Sequence, residues 1–531
     1  MFFQGFILYA CVAFVSADQR ASRLVATTQG IVRGYQAPEG HYEFLGIPYA
    51  TAPTGPNKYR PPLPAPTWIQ PFEAVQSNIT CILSTGPNCL VTNIYVPDTW
   101  ERNLPVVVHI HGGAFAFAFG NFWTAKNFVR NKNVIVVNFN YRIGARGFVC
   151  LGTKDIPGNA GMKDQVALLR WVQRNIANFG GNPKDVTVHG WSAGAASADL
   201  LLVSKIARGL FHKVIIDSGS NTASFSVQVD PLTNAKRIAR HLNFHNVDNI
   251  MALEEFYKTA SDELLRTATA QRSPNASTIY APCIESDIGE EMFLDDAPIN
   301  ILTRGDFPKM PMLIGIAEME GIFRLHTFQI WRERMNNKFS DFLPEDLAFP
   351  SELVGDIIAL QVKQFYFGNK PVNEETILGF VNYFTDSMFG YGTAKGVKLQ
   401  LEAGNNQVYL YEYSYSDEHD SFIPYTNVRG ASHCAQTDSV LDEHNEEQFI
   451  LDRRMMKAVM RDLYFNFIKT GQPVPDGSLY PAWPPVQRDR SPYMSLNRTL
   501  TLRQSFLKSR YDLWDEIYSR YYHIPVPPSV S

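Results

Sequence analysis

The residues best placed to do chemistry are Gly190-Trp191-Ser192-Ala193-Gly194. Val186-Thr187-Val188-His189 ahead of them alternates as a strand does, and Ala195-Ala196-Ser197 behind them suits a helix. The order is therefore strand, tight turn, helix. With glycine as second neighbour on both sides, the turn can hold Ser192 Oγ above a sheet edge as a nucleophile for a carbonyl carbon. Ala193 would open the helix, and its backbone N–H, lacking a partner inside that helix, would receive the resulting oxyanion. A second element is His111-Gly112-Gly113-Ala114-Phe115, which follows a nearly continuous apolar run. Two successive glycines there can turn the Gly112 and Gly113 amides toward one point. A plain Gly-Gly turn explains the pair equally well in isolation; beside the serine turn, the oxyanion reading is preferred. Phe115, Phe117 and Phe119 alternate with small residues and either wall a pocket or pack in the core.

A serine nucleophile needs a base and an acid to orient it, commonly in the chain order serine, acid, histidine. Glu320, followed by Gly321, and His433, in Gly430-Ala431-Ser432-His433, meet that order, and each lies just beyond an expected strand. Glu318 is a rival acid, and 12 histidines compete for the base, so the residues alone leave the choice open.

These side chains need a sheet to converge on. Strands are expected at Leu24–Gly34 on an edge, Phe44–Ala50, Asn93–Pro97, Leu104–His111, Asn133–Asn140, through the serine turn, Phe211–Ile216, Met310–Ile316 and Gln407–Tyr413, the last clear core strand. A helix fits residues 159 to 179, ended by Gly180-Gly181-Asn182-Pro183. Strands alternating with helices predict an α/β fold, a large, mostly parallel central sheet with right-handed crossovers. Residues 221 to 305 and 322 to 405 read as helical insertions forming a cap. Residues 506 to 521 pattern as an amphipathic helix expected to dock on its own chain. No linker divides the chain, so residues 18 to 531 are expected to be a single domain.

With 48 basic against 52 acidic residues and net charge −4, the chain has no basic stripe for nucleic acid or an anionic membrane. Residues 1 to 17 are uncharged, largely apolar and end Val15-Ser16-Ala17, a signal-peptide pattern that predicts secretion to the extracellular space without a membrane anchor. Asn78, Asn275 and Asn497 begin glycosylation sequons. Removing the leader leaves Cys81, Cys89, Cys150, Cys283 and Cys434, an odd number that requires at least one free thiol. Cys81 and Cys89, with Gly86-Pro87 between them, are the one evident disulfide pair. Metal-ligand spacing is lacking, so neither metal nor cofactor is expected.

The mature chain resembles the type-B carboxylesterase and cholinesterase family, an α/β-hydrolase group, and within it the secreted insect-type carboxylesterases. The resemblance rests on FLGIPYA (44 to 50), Cys89-Leu90, NIYVP (93 to 97), HGGAF (111 to 115), Asp164-Gln165, NIANFGGNP (175 to 183), VTVHGWSAGAAS (186 to 197) and GLFHKVIIDSGS (209 to 220). It implies Ser192 as nucleophile, Glu320 as acid, His433 as base, and Gly112, Gly113 and Ala193 as oxyanion donors. It further implies a small apolar ester as substrate and a monomer or homodimer. Three departures stand out. Trp191 occupies a position where the family often has Glu or Gln. Gly86-Pro87-Asn88 replaces the acidic residues that would meet Arg60. Cys434-Ala435-Gln436-Thr437 replaces an acidic pair after the histidine. The first and last separate the chain from the juvenile-hormone esterases. A histidine base predicts activity that rises through about pH 6.5. The alternative from another class is a catalytically weak ester-binding, scavenging or adhesion protein on the same fold.

Overall fold

The computed structural model describes residues 20–81, 88–269, 280–441 and 446–529. The expected leader and the Asn275 sequon lie outside them. Thirteen strands of the described residues form one sheet: β1 Ser22–Thr27, β2 Gly30–Gln36, β3 His41–Pro48, β4 Phe72–Glu73, β5 Val91–Pro97, β6 Leu104–Ile110, β7 Ile135–Phe139, β8 Gly181–Trp191, β9 Lys213–Asp217, β10 Met312–Ala317, β11 Val408–Tyr413, β12 Tyr493–Leu496 and β13 Thr501–Arg503. Their spatial order is β1-β2-β3-β5-β7-β6-β8-β9-β10-β11-β12-β13, with β4 beside β2. From β7 to β12 every pairing is parallel, and antiparallel ribbons close both ends.

Alternation along the central strands decides which face each side chain covers. Val106, Val108 and Ile110 of β6 enter one core with Val186 and Val188 of β8, whereas Val107 enters a second core on the opposite face with Trp191. Both faces are covered by helices, so the near-continuous apolar runs are what burial demands. Each such side chain taken out of water contributes about 1.5–3 kcal/mol.

The sequence expectation for residues 24 to 34 is corrected: the segment is a hairpin, β1 and β2, turning at Thr28-Gln29. The Thr27 hydroxyl donates to the Gly30 carbonyl at 2.7 Å, and Gly30 has φ +136°, which breaks an alternation that looks continuous. β12 lies beyond the expected last core strand, parallel to β11 and buried at all four residues. Four residues are too few to show a period. The helix expected over 159 to 179 runs Ala160–Asn175 and then tightens into a 3-10 turn, Ile176–Phe179, before Gly180 at φ +97°.

The helix Lys508–Tyr521 docks on its own chain. Tyr511, Trp514, Ile517 and Tyr518 are buried, Tyr391 packs on Tyr511 and Tyr518, and Asp515 pairs with Lys395 and Lys398. Cys81 and Cys89 are disulfide-bonded, as are Cys150 and Cys283, which the sequence does not pair; Cys434 is free and buried. Arg60, without the acidic partners its loop lacks, pairs with Asp155 at 2.9 Å.

Candidate active site

Ser192 stands between the end of β8 and the helix Ala193–Val203, at φ 55° and ψ −123°. That conformation is costly for a residue with a side chain and persists only where the surroundings impose it. The surroundings do. The Ser192 N–H donates to the Asp217 carbonyl of β9 at 2.8 Å. A Cβ on Gly190 would lie 2.1 Å from the Gly194 carbonyl oxygen, and one on Gly194 would lie 2.2 Å from that of Ile110. The helix therefore packs onto the exits of β6 and β8 at a distance that only glycine permits. Ser192 itself is 9% exposed.

The residue after β10 brings in Glu318; two further on, Glu320 turns inward and is 0% exposed. Its Oε1 accepts the Ala317 N–H at 2.8 Å, so the strand end orients the carboxylate. Its Oε2 meets His433 Nδ1 at 2.5 Å, and His433 Nε2 meets Ser192 Oγ at 2.9 Å. Glu318 takes no part in this line: burial pushes its carboxyl above the usual range, and Arg503 and Arg510 are the charges that pull it back. Phe323 and Phe389 lie on the His433 ring at centroid distances of 5.0 and 4.5 Å, and Phe225 packs on Phe389 at 5.5 Å. Those rings come from both helical insertions, which meet over the imidazole. His433 also lines a recess of about 240 Å³ with Trp123, Tyr415, Arg453 and Lys457.

The loop after β6 reaches the serine turn from below. Gly113, Ala114 and Phe115 have φ of +97°, +51° and +57°, three successive left-handed residues that reverse the chain beside the turn. The Gly112 main chain lies against Trp191, since a Cβ there would fall 2.6 Å from that residue's carbonyl oxygen and ring. Gly112 thus lies beside the residue that precedes Ser192, and Ala193, which follows Ser192, is the first residue of its helix. Among the phenylalanines of this loop, Phe115 is core, packed on Phe148, and Phe117 is exposed; the irregular backbone destroys the common face that their spacing suggests. Trp191 turns into the second core, its ring 4.5 Å from that of Trp123.

Of the remaining sequence expectations, Asn78 is exposed, and the Asn497 amide donates to the Ser414 carbonyl at 3.1 Å. Sequence reasoning missed the aromatic pair on His433 and a buried polar group behind it, Asp217 with His189, Tyr411, Tyr464 and Thr437. The only signal was polar residues at strand positions where apolar ones are expected, His109, His189 and Asp217.

A buried carboxylate, an imidazole and a hydroxyl in line can activate the hydroxyl for acyl transfer. The comparisons agree with that chemistry. Residues 21–514 match the family model described as "Carboxylesterase family". Esterase FE4 of Myzus persicae is 32% identical over 500 residues, 88% of this chain and 86% of that protein. A juvenile hormone esterase of Heliothis virescens is 30% identical, covering 90% of this chain and 91% of its own. The crystal structure of juvenile hormone esterase from Manduca sexta, with OTFP covalently attached, superposes with a TM-score of 0.82 at 29% identity, covering 94% of this chain and all of that one. With its α/β-hydrolase sheet and a family match over nearly its whole length, this chain belongs to the carboxylesterase family and is a serine hydrolase of carboxylic esters.

Proposed function

We propose that this carboxylesterase hydrolyses small apolar esters through an acyl-enzyme on Ser192, with His433 as base and Glu320 as the acid that orients it. The observation that carries the reading is the unbroken line from Glu320 Oε2 to His433 Nδ1 at 2.5 Å and from His433 Nε2 to Ser192 Oγ at 2.9 Å. His433 Nε2 takes the hydroxyl proton as Oγ attacks the carbonyl carbon, and Glu320 stabilises the imidazolium that forms. The amides of Gly112, Gly113 and Ala193 receive the oxyanion. His433 then returns the proton to the leaving alcohol, and water, deprotonated by the same nitrogen, releases the acid. Apolar substrates are favoured by Phe323 and Phe389, which lie on the imidazole, and by Phe225, which packs on Phe389.

The mature unit in this proposal is residues 18–531 acting as one domain, secreted after removal of residues 1–17, with Asn78, Asn275 and Asn497 as glycan acceptors. Consistent with it, no helix of the described residues is long and apolar enough to cross a membrane. The test is a chain-length panel of p-nitrophenyl esters run on the secreted protein and on Ser192→Ala, with a fluorophosphonate probe counting reactive serines. Ser192→Ala is expected to lower kcat by about 10⁴-fold or more and to abolish labelling. Turnover that survives this substitution would overturn the assignment.

A further inference from the structure

Asp217 closes β9, is 0% exposed, and accepts four hydrogen bonds on its carboxylate. Oδ1 takes the Tyr411 and Tyr464 hydroxyls at 2.6 and 2.7 Å. Oδ2 takes the Thr437 hydroxyl at 2.8 Å and His189 Nε2 at 2.9 Å. Four donors fill the acceptor sites of a carboxylate. Burial first, and the charge of Asp217 second, push both phenols far above their usual range, so they remain donors. Behind this shell His189 Nδ1 meets His109 Nδ1 at 3.1 Å. Burial and then His189 hold His109 well below the usual histidine range, so a neutral His109 can offer its Nδ1–H to the His189 lone pair, a tautomer assigned from the network.

Two connections turn this buried group toward the reaction. The Asp217 carbonyl accepts the Ser192 N–H at 2.8 Å, so its main chain holds the nucleophile. Thr437, held by its carboxylate, lies four residues beyond His433 on the short helix Ala435–Val440. Beside it Gln436 Nε2 donates to Ser218 Oγ at 2.5 Å, a second tie between the same two segments. Resting on the reading of Ser192 and His433 as nucleophile and base, we propose that Asp217 is a positioning residue. It joins the nucleophile strand to the segment behind the base and thereby sets the Ser192–His433 separation. It touches no substrate and acts only through these two residues.

The charge has a second consequence. Glu320 faces Nδ1 of His433, and Asp420, Asp438, Arg453 and Lys457 surround the recess that His433 lines. Burial, then the charges of Glu320 and Asp217, push the neighbouring Cys434 thiol well up, leaving it neutral. Asp217 thus places a buried negative charge beside the residue that follows His433 in the chain.

The test compares Thr437→Val, Thr437→Ser and Asp217→Asn, each with kcat expressed per serine titrated by a fluorophosphonate. Thr437→Val keeps the shape and loses the hydroxyl; its kcat is expected to fall about tenfold with KM within about twofold, and Thr437→Ser to restore it. Asp217→Asn is expected to lower kcat about a hundredfold with KM within about twofold, a split that general loss of packing would not produce. Wild-type kcat per site in Thr437→Val, or equal impairment of Thr437→Val and Thr437→Ser, overturns the proposal even if Asp217→Asn fails to fold. So does a folded Asp217→Asn enzyme with wild-type kcat per titrated serine. Ser192→Ala run alongside separates the failures: if it keeps turnover, the functional reading falls and this inference with it, whereas an inert Ser192→Ala beside an unimpaired Thr437→Val sinks only the positioning role.

Discussion

Ser192 and His433 end 2.9 Å apart but are held by opposite means. The serine is placed by backbone: a left-handed φ, one main-chain hydrogen bond to β9, and two glycines that allow a helix to sit directly on neighbouring strand ends. The histidine lies in a loop after β11, where placement falls to side chains: Glu320 on one nitrogen, Phe323 and Phe389 on the ring, Thr437 and Gln436 tying down the segment behind it. A serine set in the main chain keeps its position when neighbouring side chains change. A histidine held by side chains can be repositioned one contact at a time.

The largest test of that contrast is on the base. Glu320→Gln keeps the size but offers Nδ1 the wrong partner, and kcat is expected to fall about 10³- to 10⁴-fold with the fold intact by circular dichroism. Glu318→Gln, on the rival acid, should stay within about twofold. Equal effects at the two positions would break the comparison. The next test is on the nucleophile. Gly194→Ala adds one methyl against the Ile110 carbonyl and is expected to cost about 3 kcal/mol of stability, read as a lowered Tm. The displaced turn is expected to lower kcat about a hundredfold as well. A tolerated alanine would mean that side chains, not backbone clearance, hold the turn.

The smallest effect lies away from both. Asp346, buried and accepting the Tyr518 hydroxyl at 2.7 Å, has its carboxyl pushed up to about 7 by burial, and Asp199 and Asp386 are pushed up to about 6 by the same cause. Between the unfolded value of about 4 and these folded values, the native chain holds protons that the unfolded chain has lost. Unfolding free energy therefore falls as pH rises through that window. Chemical denaturation from pH 4 to 8 should show this decline, and Asp346→Asn should flatten its upper end. A decline untouched by the substitution would remove Asp346 as a source.

The same contrast explains what could be read from the chain alone. Backbone placement leaves local marks: Gly190, Ser192 and Gly194 at fixed spacing, Gly112-Gly113 after a strand, and β-branched runs for β6 and β7. The central fold and the strand-turn-helix around Ser192 were legible for that reason. Side-chain placement leaves none, because the partners are distant in number: Glu320 is 113 residues from His433, and Thr437 is 220 from Asp217. Choosing Glu320 over Glu318 therefore needed the family resemblance, and the Asp217 group went unread. β12 escaped through shortness and the first hairpin through a turn whose hydrogen bond hides in an unbroken alternation.

The disulfide between Cys150 and Cys283 closes a covalent ring that includes Ser192 but neither Glu320 nor His433. A protease cut anywhere inside that ring leaves both fragments attached, so a nicked chain runs as one band on a non-reducing gel and as two once thiol is added. A single non-reduced band is therefore no proof of an unbroken polypeptide, and batches of this enzyme need the reduced lane before specific activities are compared.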